Sequence, residues 1–153
     1  RDGGCNNDEL WGKSGDDLLD GGGDSDTIYG NQGDDTIYGG DGKDFLYGCV
    51  GADILDGGEG DDRLYGGRAN DTMTGGLGAD VFIFTAEPQH TDTLTDFNPY
   101  EDALRFHRSY EGTFSVALQG FNTVITYGDA GQNQVILEWN HLTLDDVNFQ
   151  WIG

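Results

Sequence analysis

The sequence predicts an all-β fold: a β-solenoid of nine nonapeptide repeats closed by a C-terminal β-rich cap. Three observations carry that expectation. Units of nine residues begin at Gly3, Gly12, Gly21, Gly30, Gly39, Gly48, Gly57, Gly66 and Gly75, with no insertion or deletion through Ile83. The sixth place is aspartate in every unit: Asp8, Asp17, Asp26, Asp35, Asp44, Asp53, Asp62, Asp71 and Asp80. The eighth is a large apolar residue in every unit, Leu10, Leu19, Ile28, Ile37, Leu46, Leu55, Leu64, Met73 and Phe82. Self-similarity held at a fixed short period marks a repeat architecture.

The full unit reads G-G-x-G-x-D-x-U-x, with U apolar. Its Gly-rich first four places let the backbone turn through φ > 0. The carboxylate follows, and a three-residue strand carries one apolar side chain inward. Two such half-turns close one flattened coil, so units 18 residues apart stack. Asp8, Asp26, Asp44, Asp62 and Asp80 then line one edge (the odd column), and Asp17, Asp35, Asp53 and Asp71 the other (the even column). Carboxylates stacked at a strand spacing of ~4.8 Å repel unless a cation sits between them. An all-oxygen set of carboxylates and carbonyls suits a hard cation, and a flexible one favours Ca²⁺ over Mg²⁺.

The segments GGDGKDFLY (Gly39–Tyr47) and GGEGDDRLY (Gly57–Tyr65) resemble the nonapeptide of RTX, or haemolysin-type, calcium-binding repeats. That resemblance implies a right-handed parallel β-roll in which each ion lies between stacked turns. The sixth-place aspartates of both turns would hold it, together with turn carbonyls. Here those carbonyls belong to Gly22, Gly30, Gly33, Gly39, Gly40, Gly42, Gly48, Gly51, Gly57, Gly58, Gly60, Gly66, Gly75, Gly76 and Gly78. Five odd turns give four gaps and four even turns give three, so about seven ions are expected in the repeats, with one or two more in the cap. At the second place Lys13, Asn31 and Cys49 replace Gly, and at the fourth Asn6, Asp24 and Ala69 do. Asn and Asp tolerate the left-handed region better than Lys, Cys or Ala. The odd edge is therefore expected to be the better metal column.

The chain has 153 residues and a net charge of −22, from 29 acidic and 7 basic side chains. Such a field makes nucleic acid and anionic membrane surfaces poor partners. One inward apolar residue per nine makes a thin core, so folding and calcium binding are expected to be one event. Cys5 and Cys49 fall on opposite edges, two coils apart, beyond the reach of a disulfide, and read as free thiols. No apolar run is long enough to span a bilayer. The sequence starts with Arg1 and is expected to be a piece of a longer protein.

Two regions are expected, a β-roll over 3–83 and a β-rich capping and secretion region over 84–153. In GGLGADVFIF (Gly75–Phe84) the apolar content thickens, as a capping unit requires. A Pro-containing loop, Ala86–Thr91, precedes Asp92–Phe106. This stretch resembles the D-x-I-x-D-F…D-x-I segment that follows the repeats in secreted bacterial proteases, lipases and alginate epimerase modules. The resemblance makes Asp92, Asp96 and Asp102 candidate ligands of a further ion, with turn-making as the plainer role. Strands are expected at Thr113–Gln119, Phe121–Tyr127 and Gln134–Trp139, with a hairpin loop over Tyr127–Asn133. The tail alternates Val147, Phe149 and Trp151. At the ninth place the odd column carries Trp11, Tyr29, Tyr47 and Tyr65. That ladder reads either as a sugar-binding platform or as rings that shield strand hydrogen bonds and stack on one another.

The sequence holds no H-E-x-x-H and no G-x-S-x-G motif. His90, His107 and His141 stand singly and are expected at the surface. An EF-hand frame from Asp24 fails at Ile28 and Tyr29. The acid pairs Asp16-Asp17, Asp34-Asp35 and Asp61-Asp62 belong to the repeat rather than to a glycosidase. The resemblance therefore implies a non-catalytic calcium-binding module of a secreted bacterial protein. It would leave the cell unfolded through an ABC-type (type I) exporter, fold outside on Ca²⁺, and support a larger protein. The alternative is a calcium-dependent carbohydrate-binding module, like the R-modules of mannuronan epimerases, with a polysaccharide as partner.

Overall fold

The computed structural model describes residues 1–85, 90–107, 115–119, 122–127, 133–138 and 149–152. Every regular element among them is a strand. The repeats supply β1 (Asp2–Cys5), β2 (Glu9–Ser14), β3 (Leu18–Gly23), β4 (Thr27–Gln32), β5 (Thr36–Asp41), β6 (Phe45–Val50), β7 (Ile54–Glu59), β8 (Arg63–Arg68), β9 (Thr72–Leu77) and β10 (Val81–Phe84). Beyond them come β11 (Thr91–Leu94), β12 (Ala103–His107), β13 (Ser115–Gln119), β14 (Asn122–Tyr127), β15 (Asn133–Leu137) and β16 (Phe149–Ile152).

Odd-numbered and even-numbered strands of the repeats separate into two sheets, ordered β1-β3-β5-β7-β9-β11-β15-β14-β13 and β16-β12-β10-β8-β6-β4-β2. Within the repeats all pairing is parallel and 18 residues apart, as in Ile28↔Leu46 and Ile37↔Leu55. The protein is a parallel β-roll. Each coil gives one strand to each sheet, and the eighth-place side chains meet in single file between them. Leu19, Ile28, Ile37, Leu46, Leu55, Leu64, Met73 and Phe82 are fully buried, whereas Leu10, at the open first coil, is half-buried and packs on that cluster.

The full-length repeat strands, β2–β9, run six residues, not the expected three. They cover places seven to nine and continue through the first three places of the next unit, leaving a three-residue turn at places four to six. Glycine here is not a strand-breaker, because parallel neighbours pair through it, as in Gly22↔Gly40. The second and fourth places adopt positive φ throughout, and the replacements obey: Lys13 at 87°, Cys49 at 81° and Ala69 at 82° match Asn31 at 79°. Stacking between two coils of fixed geometry overrides the local preference of those three residues.

The ladders do not stop at Ile83. Strand β10 pairs with both β8 and β12, β9 with β11, β11 with β15 and β12 with β16, all in parallel. An antiparallel meander, β15-β14-β13, then ends one sheet. Single-file Leu and Ile give way here to aromatic rings: Phe84 stacks on Phe106 at 4.9 Å between centroids, and Tyr127 meets Phe106 edge-on at 5.0 Å. The expected strand from Gln134 ends at Leu137. Trp139, His141, Val147, most of the loops at Ala86–Thr91 and Tyr127–Asn133, and the side chains of Phe149 and Trp151 lie outside the described residues.

Candidate metal centre

Each sixth-place aspartate follows a tight turn and opens a strand, so its side chain projects into the gap between coils. Its Oδ1 accepts the main-chain N–H of the corresponding aspartate one coil earlier. In the odd column the bonds run from Asp8 N to Asp26, Asp26 N to Asp44, Asp44 N to Asp62 and Asp62 N to Asp80, at 2.7–2.9 Å. In the even column they run from Asp17 N to Asp35, Asp35 N to Asp53 and Asp53 N to Asp71, at 2.8–2.9 Å. The aspartate carbonyls are taken as well, since Thr27 N donates to Asp8 O and Arg63 N to Asp44 O.

One oxygen per carboxylate is left over. Oδ2 of Asp8, Asp26, Asp35, Asp44, Asp53, Asp62, Asp71 and Asp80 is buried without a hydrogen-bond partner. Buried acceptors in native folds are nearly always satisfied, so eight orphans of one kind at one repeat position point to a missing partner that is not protein. Around them the first-place glycines form a cradle. A Cβ on Gly57 would stand 2.4 Å from Asp62 Oδ2 and 2.5 Å from Gly75 O, and one on Gly21 would stand 2.4 Å from Asp26 Oδ2 and 2.5 Å from Gly39 O. The same pairing puts Gly30 O beside Asp17, Gly48 O beside Asp35, Gly57 O beside Asp44 and Gly66 O beside Asp53. The first-place carbonyls named from sequence thus share a space with the carboxylates. Carbonyls of the second place (Gly22, Gly40, Gly58) and fourth place (Gly33, Gly42, Gly60) instead face the matching glycine of the next coil. Among the described residues no three His, Cys, Asp or Glu side chains converge on one point. A site here draws on carbonyl oxygen as much as carboxylate, the donor set of a hard cation.

Electrostatics point the same way. Burial pushes Asp62 up to about 7, Asp71 to about 8, and Asp53 and Asp80 to about 6, with neighbouring carboxylates adding to the rise and the amide hydrogen bond opposing it. Asp26, Asp35 and Asp44 are raised for the same first reason. Ionised at neutral pH, these groups need a cation; otherwise they take up protons.

The fifth place holds a second ladder that the sequence reading missed. Asp16 Oδ1 accepts from Asp34 N at 2.9 Å, Asp34 Oδ1 from Ala52 N at 2.8 Å, Asn7 Oδ1 from Ser25 N at 3.2 Å and Asp61 Oδ1 from Ala79 N at 3.2 Å. It runs opposite to the aspartate ladder, the later coil donating to the earlier. Lys43 N continues it by donating to Ser25 Oγ at 3.2 Å, but the Lys43 side chain offers the next coil no acceptor and forms an exposed ion pair with Asp61 at 3.5 Å. The signal was present in the short polar residues at place five: Asn7, Asp16, Ser25, Asp34, Asp61 and Asn70.

The cap aspartates join both columns. Asp92 Oδ1 accepts from Asp71 N and Asp102 Oδ1 from Asp80 N, each at 3.0 Å, so they are the next rungs of the even and odd columns. Asp96 does something different: its two oxygens accept from Gly75 N and Gly76 N of β9 at 2.9 and 2.8 Å, beyond the end of β11. His90 is not at the surface as expected. It is buried, with Nε2 3.1 Å from Asp92 Oδ2 and 3.2 Å from the Tyr127 hydroxyl. His107 is half-buried on β12. In the aromatic ladder Tyr29 and Tyr47 stack at 4.8 Å and 10°, Trp11 tilts over Tyr29 and Tyr65 meets Tyr47 edge-on, each at 6.1 Å. Each ring of the column thus contacts the next. Cys5 and Cys49 are both free thiols.

The family described as RTX calcium-binding nonapeptide repeat, in four copies, matches residues 2–37, 20–48 and 50–82. No curated protein matches the chain. Among solved structures, the R2 subunit of AlgE6, a mannuronan C5-epimerase of Azotobacter vinelandii, is 30% identical over 90% of this chain and 90% of its own, with a TM-score of 0.45. The R3 subunit of the same epimerase is 27% identical over 88% of this chain and 78% of its own, with a TM-score of 0.46. The extracellular lipase LipA of Serratia marcescens is 16% identical over 88% of this chain, which spans 37% of the lipase's length, with a TM-score of 0.44.

Proposed function

Since the chain belongs to the RTX calcium-binding nonapeptide repeat family, we propose that it is a non-catalytic module whose folding is driven by Ca²⁺ outside the cell. The observation that carries this reading is the set of eight buried, unpartnered Oδ2 atoms. One calcium ion for each gives five ions in the odd column and three in the even. The sixth-place carboxylates, with first-place carbonyls beside them, would hold those ions; the sequence count of seven in the repeats includes the Asp17–Asp35 gap, whose Asp17 Oδ2 is not among the eight, and omits the two gaps that Asp92 and Asp102 close. Bound calcium supplies the positive charge that lets the columns stay ionised in a dry interior. Without it the −22 chain repels itself and the thin core does not compensate.

This reading suits passage through an ABC-type exporter as an unfolded chain. Calcium affinities of extracellular modules, roughly 10⁻⁴–10⁻³ M, leave such a module empty in a calcium-poor cytosol and filled outside. The module would then stabilise whatever larger secreted protein carries it. Native mass spectrometry at saturating Ca²⁺ tests the site assignment: eight ions per chain are expected, and four or fewer would overturn it.

A further inference from the structure

We infer that His90 closes the even column by taking, on Asp92, the place that a further ion would hold. This rests on the calcium reading above. Every metal-facing carboxylate from Asp26 to Asp80 gives Oδ1 to a main-chain N–H and keeps Oδ2 unpartnered. Asp92 shares the first half of that pattern and departs in the second. Its Oδ1 accepts from Asp71 N at 3.0 Å, but its Oδ2 lies 3.1 Å from His90 Nε2, with both side chains buried. Nε2 faces the Asp92 carboxylate, which only accepts, so it carries the ring proton and donates to it, while the Tyr127 hydroxyl lies 3.2 Å away.

The odd column ends by the same rule with a different donor. Asp102 Oδ1 accepts from Asp80 N at 3.0 Å, and its Oδ2 accepts from Asn98 N at 2.8 Å. Both columns thus stop where an N–H of the protein occupies the second oxygen. On the even side that donor is supplied through the cap. The Tyr127 hydroxyl on β14 lies 3.2 Å from His90 Nε2, His90 N donates to Asn133 Oδ1 at 3.3 Å, and Gln134 N on β15 donates to His90 O at 3.0 Å. Docking of the β14-β15 hairpin and completion of the last even rung are therefore one event. His90 is a positioning residue for Asp92, which walls the last even gap and holds no ion beyond it.

A double-mutant cycle in the full chain tests this, by denaturant unfolding at saturating Ca²⁺. His90→Gln keeps an N–H donor at the same reach and should fold within about twofold of the parent. His90→Leu fills the space but leaves Asp92 Oδ2 buried and unpaired, lowering the folding constant roughly ten- to a hundredfold. Adding Asp92→Asn to His90→Leu should recover most of that loss, because the amide oxygen still accepts from Asp71 N and no charge is stranded. A purely space-filling His90 gives no recovery, and that result, or a silent His90→Leu, would overturn the inference. If His90→Leu alone fails to fold, folding of the double variant supports it and failure of both overturns it. Calcium dependence of the parent is the separating control: a parent indifferent to Ca²⁺ sinks the calcium reading, whereas a calcium-dependent parent with an additive cycle sinks only the role of His90.

Discussion

Asp44 stands in the middle of the odd column, and its replacement separates the carboxylate's two jobs. Its Oδ1 accepts from Asp26 N at 2.7 Å, its Oδ2 is a buried orphan, and the residue is fully buried. Asp44→Ala strands the Asp26 amide, costing about 1–3 kcal/mol, and leaves the ion beside its Oδ2 short of a ligand. Together these put the loss in saturating calcium at roughly 3–5 kcal/mol, the scale of a broken buried charge pair. Asp44→Asn keeps the acceptor and the shape but not the charge, so its loss falls between parent and alanine. Asp8 opens the column and is half-buried, with Oδ2 facing a single gap. Asp8→Ala should cost about 1 kcal/mol, in the range of a partly solvated charge. Lys43→Ala removes only an exposed ion pair and should lie within about 0.5 kcal/mol of the parent. The assay is calcium titration followed by far-UV circular dichroism, with denaturant unfolding at saturation. Equal losses for Asp44→Ala and Asp8→Ala would refute the double role of the interior carboxylate as amide acceptor and ion ligand.

The remaining predictions concern pH and have opposite signs with and without calcium. In chelator, Asp53, Asp62, Asp71 and Asp80 have folded values of about 6 to 8 against an unfolded value of 3.8. Protons then bind the folded state more tightly, so the metal-free roll gains stability as pH falls from 8 towards 4 and loses it as pH rises through that window. Circular dichroism in chelator should show β signal increasing on acidification; a signal lost on acidification, as in ordinary acid unfolding, would contradict it. With calcium saturating, protons compete with the ion for the same oxygens. The calcium midpoint should therefore move to higher concentration between pH 7 and pH 5, as a titration at each pH would show.

Much of the roll was legible because a solenoid is local. Aspartate at place six and an apolar residue at place eight fix which side chains stack, and coils 18 residues apart inherit that register. What escaped was whatever depended on neighbouring coils or on contacts without a period. Glycine pairs read as turn, yet they lie within strands because the next coil pairs through them. Lys13, Cys49 and Ala69 read as poor turn residues, yet adopt the same positive φ as the residues they replace. The carboxylates at 92 and 102 were visible as candidates, but their spacing of 21 and 22 residues from Asp71 and Asp80 hid that they continue the columns. A lone His90 reads as a surface residue because its partner Tyr127 lies 37 residues away, outside any repeat. Second-place and fourth-place carbonyls shared the glycine signal of the first place, and sequence alone did not separate them.

The central claim is that buried carboxylate oxygens make this fold conditional on a cation. Far-UV circular dichroism of the purified chain at neutral pH, in chelator and then in excess Ca²⁺, tests it most directly. The account predicts a largely disordered spectrum in chelator and a β spectrum restored by calcium, with Mg²⁺ at equal concentration a poor substitute because it resists irregular, dehydrated cages. A β spectrum that persists unchanged in chelator would contradict it.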